Sequence, residues 1–130
     1  MRKICVIDIG TNSMREAIVR IDANHDWQVL SAVREAVRLG EGEFARNKIT
    51  RAAMERGILV LRKFADIARK YEVSETTVVA TAALREAQNR SEFVDRAREE
   101  AGVDVKVVPG VEEARLISGF GSMRWMEFVG

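Results

Sequence analysis

The sequence predicts an α/β domain built on a mixed five-stranded sheet, and three observations carry that reading. Three apolar, strand-like runs follow one another through short turns between Cys5 and Leu39. A long amphipathic stretch comes next, with apolar residues at helical spacing. Beyond it, β-branched runs alternate with helical ones. The order is therefore β-β-β-α-β-α-β-α, an antiparallel meander followed by helix–strand alternation.

The first strand is Cys5-Val6-Ile7-Asp8-Ile9, and Gly10-Thr11-Asn12-Ser13 turns the chain into a second strand from Met14 to Ile21. Gly10 permits positive φ and lets backbone approach whatever lies above the turn. Thr11, Asn12 and Ser13 supply hydroxyls, an amide and backbone N–H groups, the donors that surround a phosphate. Asp8 repels phosphate but can hold a divalent cation that bridges to it. The alternative for this stretch alone is a hairpin turn with no chemistry, since turns favour the same residues for conformational reasons.

Asp22 to Asp26 is a polar turn holding the sole histidine, His25, which reads as solvated. A third strand runs from Trp27 to Leu39, and Gly40-Glu41-Gly42 closes the sheet segment. Thr50 is placed to cap a helix with Met54, Ile58, Leu61, Ala65 and Ala68 on one face, ending near Tyr71. Thr76 to Ala80 is a fourth strand, and Thr81 to Ala87 a helical turn at its end. Ser91 is placed to cap a helix from Glu92 to Ala101, stopped by Gly102. Val105 to Val108 is a fifth strand, Pro109-Gly110 a turn, and Val111 to Ile117 the start of a last helix.

At 130 residues the chain fits one domain with a real core. A net charge of +1 gives no global field that favours nucleic acid or an anionic membrane. One cysteine, Cys5, lies within an apolar run, so no intramolecular disulfide forms. No apolar run approaches the ~20 residues of a membrane span, and no signal-peptide core is present. The expected location is cytoplasmic.

Three polar clusters fall at strand ends: Asp8 to Ser13, Thr81 to Arg85 and Gly110 to Glu113. Open α/β sheets bind ligands beyond the carboxyl ends of their strands. A phosphate loop, an arginine and a carboxylate at one rim are more specific together than singly.

The segments Ile7-Asp8-Ile9-Gly10-Thr11-Asn12-Ser13, Val37-Arg38-Leu39-Gly40-Glu41-Gly42, Thr81-Ala82-Ala83-Leu84-Arg85-Glu86-Ala87 and Gly110-Val111-Glu112-Glu113-Ala114-Arg115-Leu116-Ile117 occur in this order. With Met54 to Leu61 and Asn89 to Phe93, they resemble the exopolyphosphatase and guanosine pentaphosphate phosphohydrolase family. The resemblance covers residues 3 to about 117. It implies the ribonuclease H-like, actin-like ATPase fold, with two related domains around a cleft. It also implies metal-assisted attack of water on a terminal phosphate of polyphosphate or guanosine pentaphosphate, with magnesium as the expected cation.

Residue by residue, the resemblance implies Asp8 as the acid near the metal. Gly10, Thr11, Asn12 and Ser13 form the first phosphate loop, Arg15 and Arg85 clamp phosphate oxygens, and Glu113 activates the water. Glu112 reads as a helix-start acid. Arginine suits the clamp because its fork bonds two oxygens and stays protonated. Phosphoryl transfer depends on positioning and charge neutralisation more than on covalent help.

The sequence departs from the family in having no Gly-Gly dipeptide, and hence no second loop of the form Asp-x-Gly-Gly-Gly-Ser-x-Glu. The expectation is a first domain over residues 1–117, with an atypical apolar tail over 118–130 and the second domain absent. Such a chain is expected to be inactive or weak alone. The alternative is a non-catalytic phosphate- or nucleotide-binding module, or an oligomeric interaction module. A homo-oligomer is expected because a missing second domain leaves its covering surface open.

Overall fold

Strand β1, Arg2–Ile9, lies at the centre of the sheet, as its apolar run requires. A computed structural model describes residues 1–41, 47–80 and 82–107 of the chain. It adds β2 (Ser13–Ile21), β3 (Trp27–Ala36), α1 (Arg51–Lys70), β4 (Glu75–Ala80), α2 (Ala82–Glu86), α3 (Arg90–Arg96) and β5 (Val105–Val107). The strand order is β3-β2-β1-β4-β5. The β1–β2 and β2–β3 pairs are antiparallel; β1–β4 and β4–β5 are parallel. The mixed five-stranded sheet of the sequence reading is present. The short helical turn after β4 and the separate helix that follows it are both present, as α2 and α3. The expected end of the fifth strand, the Pro109-Gly110 turn, the last helix and the tail lie outside the described residues.

The sheet has two buried faces. Cys5, Ile7 and Ile9 of β1, with Met14 and Ile18 of β2, join Met54, Ile58, Leu61 and Phe64 of α1 in the main core. The alternate residues Ile4, Val6, Ala17 and Val19 form a second, smaller cluster on the other face. Period-two alternation in the strands thus feeds two cores rather than a core and a solvent face. At ~25 cal/mol per Å², it is the main cluster that holds α1 against the sheet.

Helix α1 begins where its cap was expected: Thr50 Oγ1 accepts from Ala53 N at 3.1 Å. Helix α3 does not begin on a Ser91 cap. Asn89 occupies the cap position, and its side chain bonds across to another segment instead of to its own helix. After Arg96 the helix widens into a π turn, Ala97–Ala101, and ends at Gly102, whose φ of 70° is the left-handed geometry of a glycine stop. Strand β3 ends at Ala36, three residues short of expectation, because Val37 and Arg38 turn their amides to the β1–β2 loop. Val37 and Leu39 remain fully buried as anchors of that turn. No helix among the described residues is long and apolar enough to cross a membrane.

Candidate phosphate site

The carboxyl ends of β1, β3, β4 and β5 share one rim, because β1, β4 and β5 are parallel and β3 runs with them. The β1–β2 turn sits on that rim. Gly10 N donates to Ser13 O at 3.0 Å, closing the turn. Gly10 does not use positive φ here; among the described residues the left-handed glycine is Gly102. Glycine is required at position 10 for space, since a Cβ there would lie 2.9 Å from Ser13 O.

The segment after β3 clamps the loop from behind. Asn12 O accepts from Val37 N at 3.0 Å and from Arg38 N at 2.8 Å, and Thr11 O accepts from Gly40 N at 3.1 Å. Carbonyl oxygens that would repel an anion are thereby occupied by N–H groups. Arg38 adopts φ 55° to make this turn, an uncommon geometry for a side-chain-bearing residue. Arg56 of α1 fixes the clamp in turn: Nε donates to Val37 O at 2.8 Å, Nη2 to Arg38 O at 3.2 Å and to Glu41 Oε2 at 2.8 Å.

Asp8 and Arg15 are register partners across β1 and β2, so their side chains share a sheet face. Asp8 is 5% exposed and Arg15 half-buried. Arg34 of β3 is the next residue in the row, opposite Arg15, and its Nε donates to Ser13 Oγ at 3.3 Å. The register Ile9↔Ala80 sets the end of β4 beside the end of β1. Arg85 follows on α2, half-buried, with Nε 3.6 Å from Glu86 Oε1 and its carbonyl accepting from Arg90 Nη1 at 2.9 Å. The structure thus places Asp8, Gly10 to Ser13 and Arg15 on contiguous backbone, and Arg85 on the neighbouring strand's exit. Glu113 lies outside the described residues.

Two residues of this rim were not singled out from the sequence. Arg34 reads as an ordinary exposed strand residue until the β2–β3 register is known. Asn89 is the other: Ile49 N donates to its Oδ1 at 2.9 Å, and its Nδ2 donates to Ile49 O at 3.0 Å. That clasp ties the segment after Arg85 to the entry of α1.

Among the described residues no group of three or more His, Cys, Asp or Glu side chains is placed to hold a metal. Asp8 alone fits magnesium of the kind that takes one or two carboxylates and completes its shell with water and substrate phosphate. A cavity of about 420 Å³ lies at the opposite, amino-terminal rim, lined by Arg69, Glu72, Thr76, Gly102 and Asp104 among others. Two of its charges are engaged, Arg69 with Asp66 and Asp104 with Arg98.

The fold and the rim describe an α/β domain that presents a closed Gly10–Ser13 turn at the carboxyl ends of its strands. The Ppx/GppA phosphatase family model matches residues 17–127, and the chain belongs to that family. It is similar to the Ppx/GppA family member of Aquifex aeolicus, with 26% identity over 93% of this chain and 40% of that one, at a TM-score of 0.86. It is also similar to an exopolyphosphatase from Cytophaga hutchinsonii, with 34% identity over 88% of this chain and 36% of that one, at a TM-score of 0.84. The chain spans about two fifths of the length of these relatives. RuvC of Thermus thermophilus, bound to a Holliday junction, shares the fold at 13% identity, with a TM-score of 0.51 over 94% of this chain and 80% of that one. The domain thus has the ribonuclease H-like, actin-like ATPase fold expected from the resemblance.

Proposed function

We infer that this chain is the first, phosphate-binding domain of an exopolyphosphatase-like phosphohydrolase, whose substrate is polyphosphate or guanosine pentaphosphate. The observation that carries this reading is the clamp of Val37, Arg38 and Gly40 on the carbonyls of Thr11 and Asn12. It occupies the carbonyls of Thr11 and Asn12 with N–H groups, which supports a reading in which the loop's hydroxyls, the Asn12 amide and flanking guanidinium groups meet an anion. In this reading Arg15 and Arg85 hold phosphate oxygens, and the fixed fork of each limits the rotation of the bound group. Asp8 would hold magnesium, which when bound supplies charge neutralisation at the phosphate oxygens. Glu113, beyond β5, takes the proton of the attacking water.

Titration calorimetry of this chain with polyphosphate, with and without magnesium, tests the reading. Saturable heat that weakens without magnesium is expected; no heat under either condition overturns it. A phosphate-release assay in parallel separates turnover from the alternative, a binding module without turnover.

A further inference from the structure

Arg2, Arg69 and Arg98 each pair with an exposed carboxylate, of Glu75, Asp66 and Asp104 in turn. Surface pairs of that kind contribute little. Arg56 of α1 is built in differently. It is half-buried and bonds three groups, two of them backbone carbonyls. Its Nε takes Val37 O at 2.8 Å, while Nη2 takes Arg38 O at 3.2 Å and Glu41 Oε2 at 2.8 Å. A planar fork of fixed donors can span two neighbouring carbonyls; the single ammonium of a lysine cannot do so in the same geometry.

The same two residues meet the loop with their amides. Val37 N and Arg38 N both donate to Asn12 O. The carbonyl of Val37 and the amide of Arg38 are the two ends of one peptide unit. A cation bonded to that carbonyl polarises the unit and strengthens its amide as a donor. Arg38 holds a φ of 55° there, which a residue with a side chain keeps where its surroundings over-determine it. Val37 and Leu39 are fully buried on either side, and Arg56 holds the carbonyl of Arg38 itself. The hydrogen bonds of Arg56 end on Val37, Arg38 and Glu41, and none ends on the Gly10–Ser13 loop.

We propose that Arg56 is a positioning residue for the Gly10–Ser13 loop, setting its affinity for a phosphoryl anion through the Val37–Arg38 peptide and not by contact with the ligand. The proposal rests on the phosphate-loop reading above and adds to it a residue one step removed from the anion. The guanidinium fork carries the effect, so neither its positive charge alone nor its ion pair with Glu41 replaces it.

The test is calorimetric titration of the chain with tripolyphosphate at fixed magnesium, using wild type, Arg56→Ala, Arg56→Lys and Glu41→Ala. Arg56→Ala is also titrated with ethylguanidinium or ethylammonium added at one sub-denaturing concentration. Arg56→Ala is expected to weaken binding about tenfold, the lower end of what partners behind a ligand-binding group contribute. Arg56→Lys should lose nearly as much. Glu41→Ala should stay near wild type, because the two carbonyl bonds remain. Ethylguanidinium should restore most of the loss in Arg56→Ala and ethylammonium should not, a rescue that a general loss of stability would not show. Arg56→Lys keeps the stem and the charge, and it carries the test should Arg56→Ala melt below the assay temperature. Unchanged binding in Arg56→Ala overturns the proposal, as does wild-type binding in Arg56→Lys. A loss in Glu41→Ala equal to that in Arg56→Ala overturns it too, and so does a failure of ethylguanidinium to restore binding. In these cases the loop reading stands. Wild type that binds no tripolyphosphate overturns the loop reading, and this proposal with it.

Discussion

The Cys5 thiol donates to the Glu16 carboxyl group across β1 and β2, Sγ to Oε2 3.3 Å, with both residues fully buried. Glu16 faces the main core, and its Oε1 meets no hydrogen-bond partner. Burial is the larger influence and the Cys5 hydrogen bond the smaller, opposing one; the carboxyl group is pushed up to about 7 from an ordinary 4.5. Burial first, then the charge and hydrogen bond of Glu16, raise the Cys5 thiol as well, while a hydrogen bond with Thr76 lowers it. Cys5 is therefore an inert thiol at neutral pH.

A raised carboxyl pKa in the fold means that the folded state holds a proton that the unfolded chain has released. The resulting stability is fully present below about pH 4.5, falls as pH rises to about 7, and is flat above that. The loss is on the order of 3 kcal/mol. Glu16→Gln should remove this slope and make the protein more stable than wild type at pH 8. Urea melts from pH 4 to 9 check it; parallel curves for wild type and variant would contradict the buried-acid account.

Gly57 lies where α1 crosses α3. A Cβ there would sit 2.8 Å from Cε2 of Phe93, which is fully buried and cannot retreat. Gly57→Ala gains about 1 kcal/mol of helix propensity but overpacks the contact by roughly 1–3 kcal/mol. The expected net result is a lower melting temperature, and Phe93→Leu in the same chain should recover part of it.

Asn89 satisfies both the N–H and the C=O of Ile49, whose side chain is 3% exposed. Asn89→Ala leaves two backbone groups without partners at roughly 1–3 kcal/mol each before relaxation. Asn89→Asp keeps the acceptor and should cost less. Hydrogen exchange at the Ile49 amide should quicken in Asn89→Ala and stay slow in Asn89→Asp.

For Glu113, the role of base predicts separable effects. In a form of the protein that releases phosphate, Glu113→Gln should lower the rate by about a hundredfold or more while polyphosphate binding persists. Retained turnover in a phosphate-release assay would remove Glu113 from the chemistry.

Much of this fold is written locally in the chain. The apolar run Cys5 to Ile9, the Gly10–Ser13 turn and the helix from Thr50 follow from period, turn chemistry and capping. Glu16 does not, because a glutamate beside Arg15 in a strand reads as the solvent side of an alternation. Both faces of β2 are buried, and that depends on what packs above and below. Arg34 was hidden by register. The β2–β3 pairing shifts between Ile18 and Val19, where the partners move from Ser31 to Val29 and Leu30 is skipped. Counting back from the β2–β3 turn without that bulge puts the wrong residue opposite Arg15. Ser91 looked like a cap because serine often is one, yet the competing demand of Ile49 recruited Asn89 to the helix start. The role of Arg56 likewise depends on a clamp that only the folded loop creates.

Because Arg56 bonds the carbonyls of Val37 and Arg38, whose amides hold Asn12, one guanidinium joins the Gly10–Ser13 loop to the long helix. The 20 residues of α1 extend about 30 Å from Arg51 to Lys70. The helix thus ties the turn at one rim to the cavity at the other, which its last turn lines.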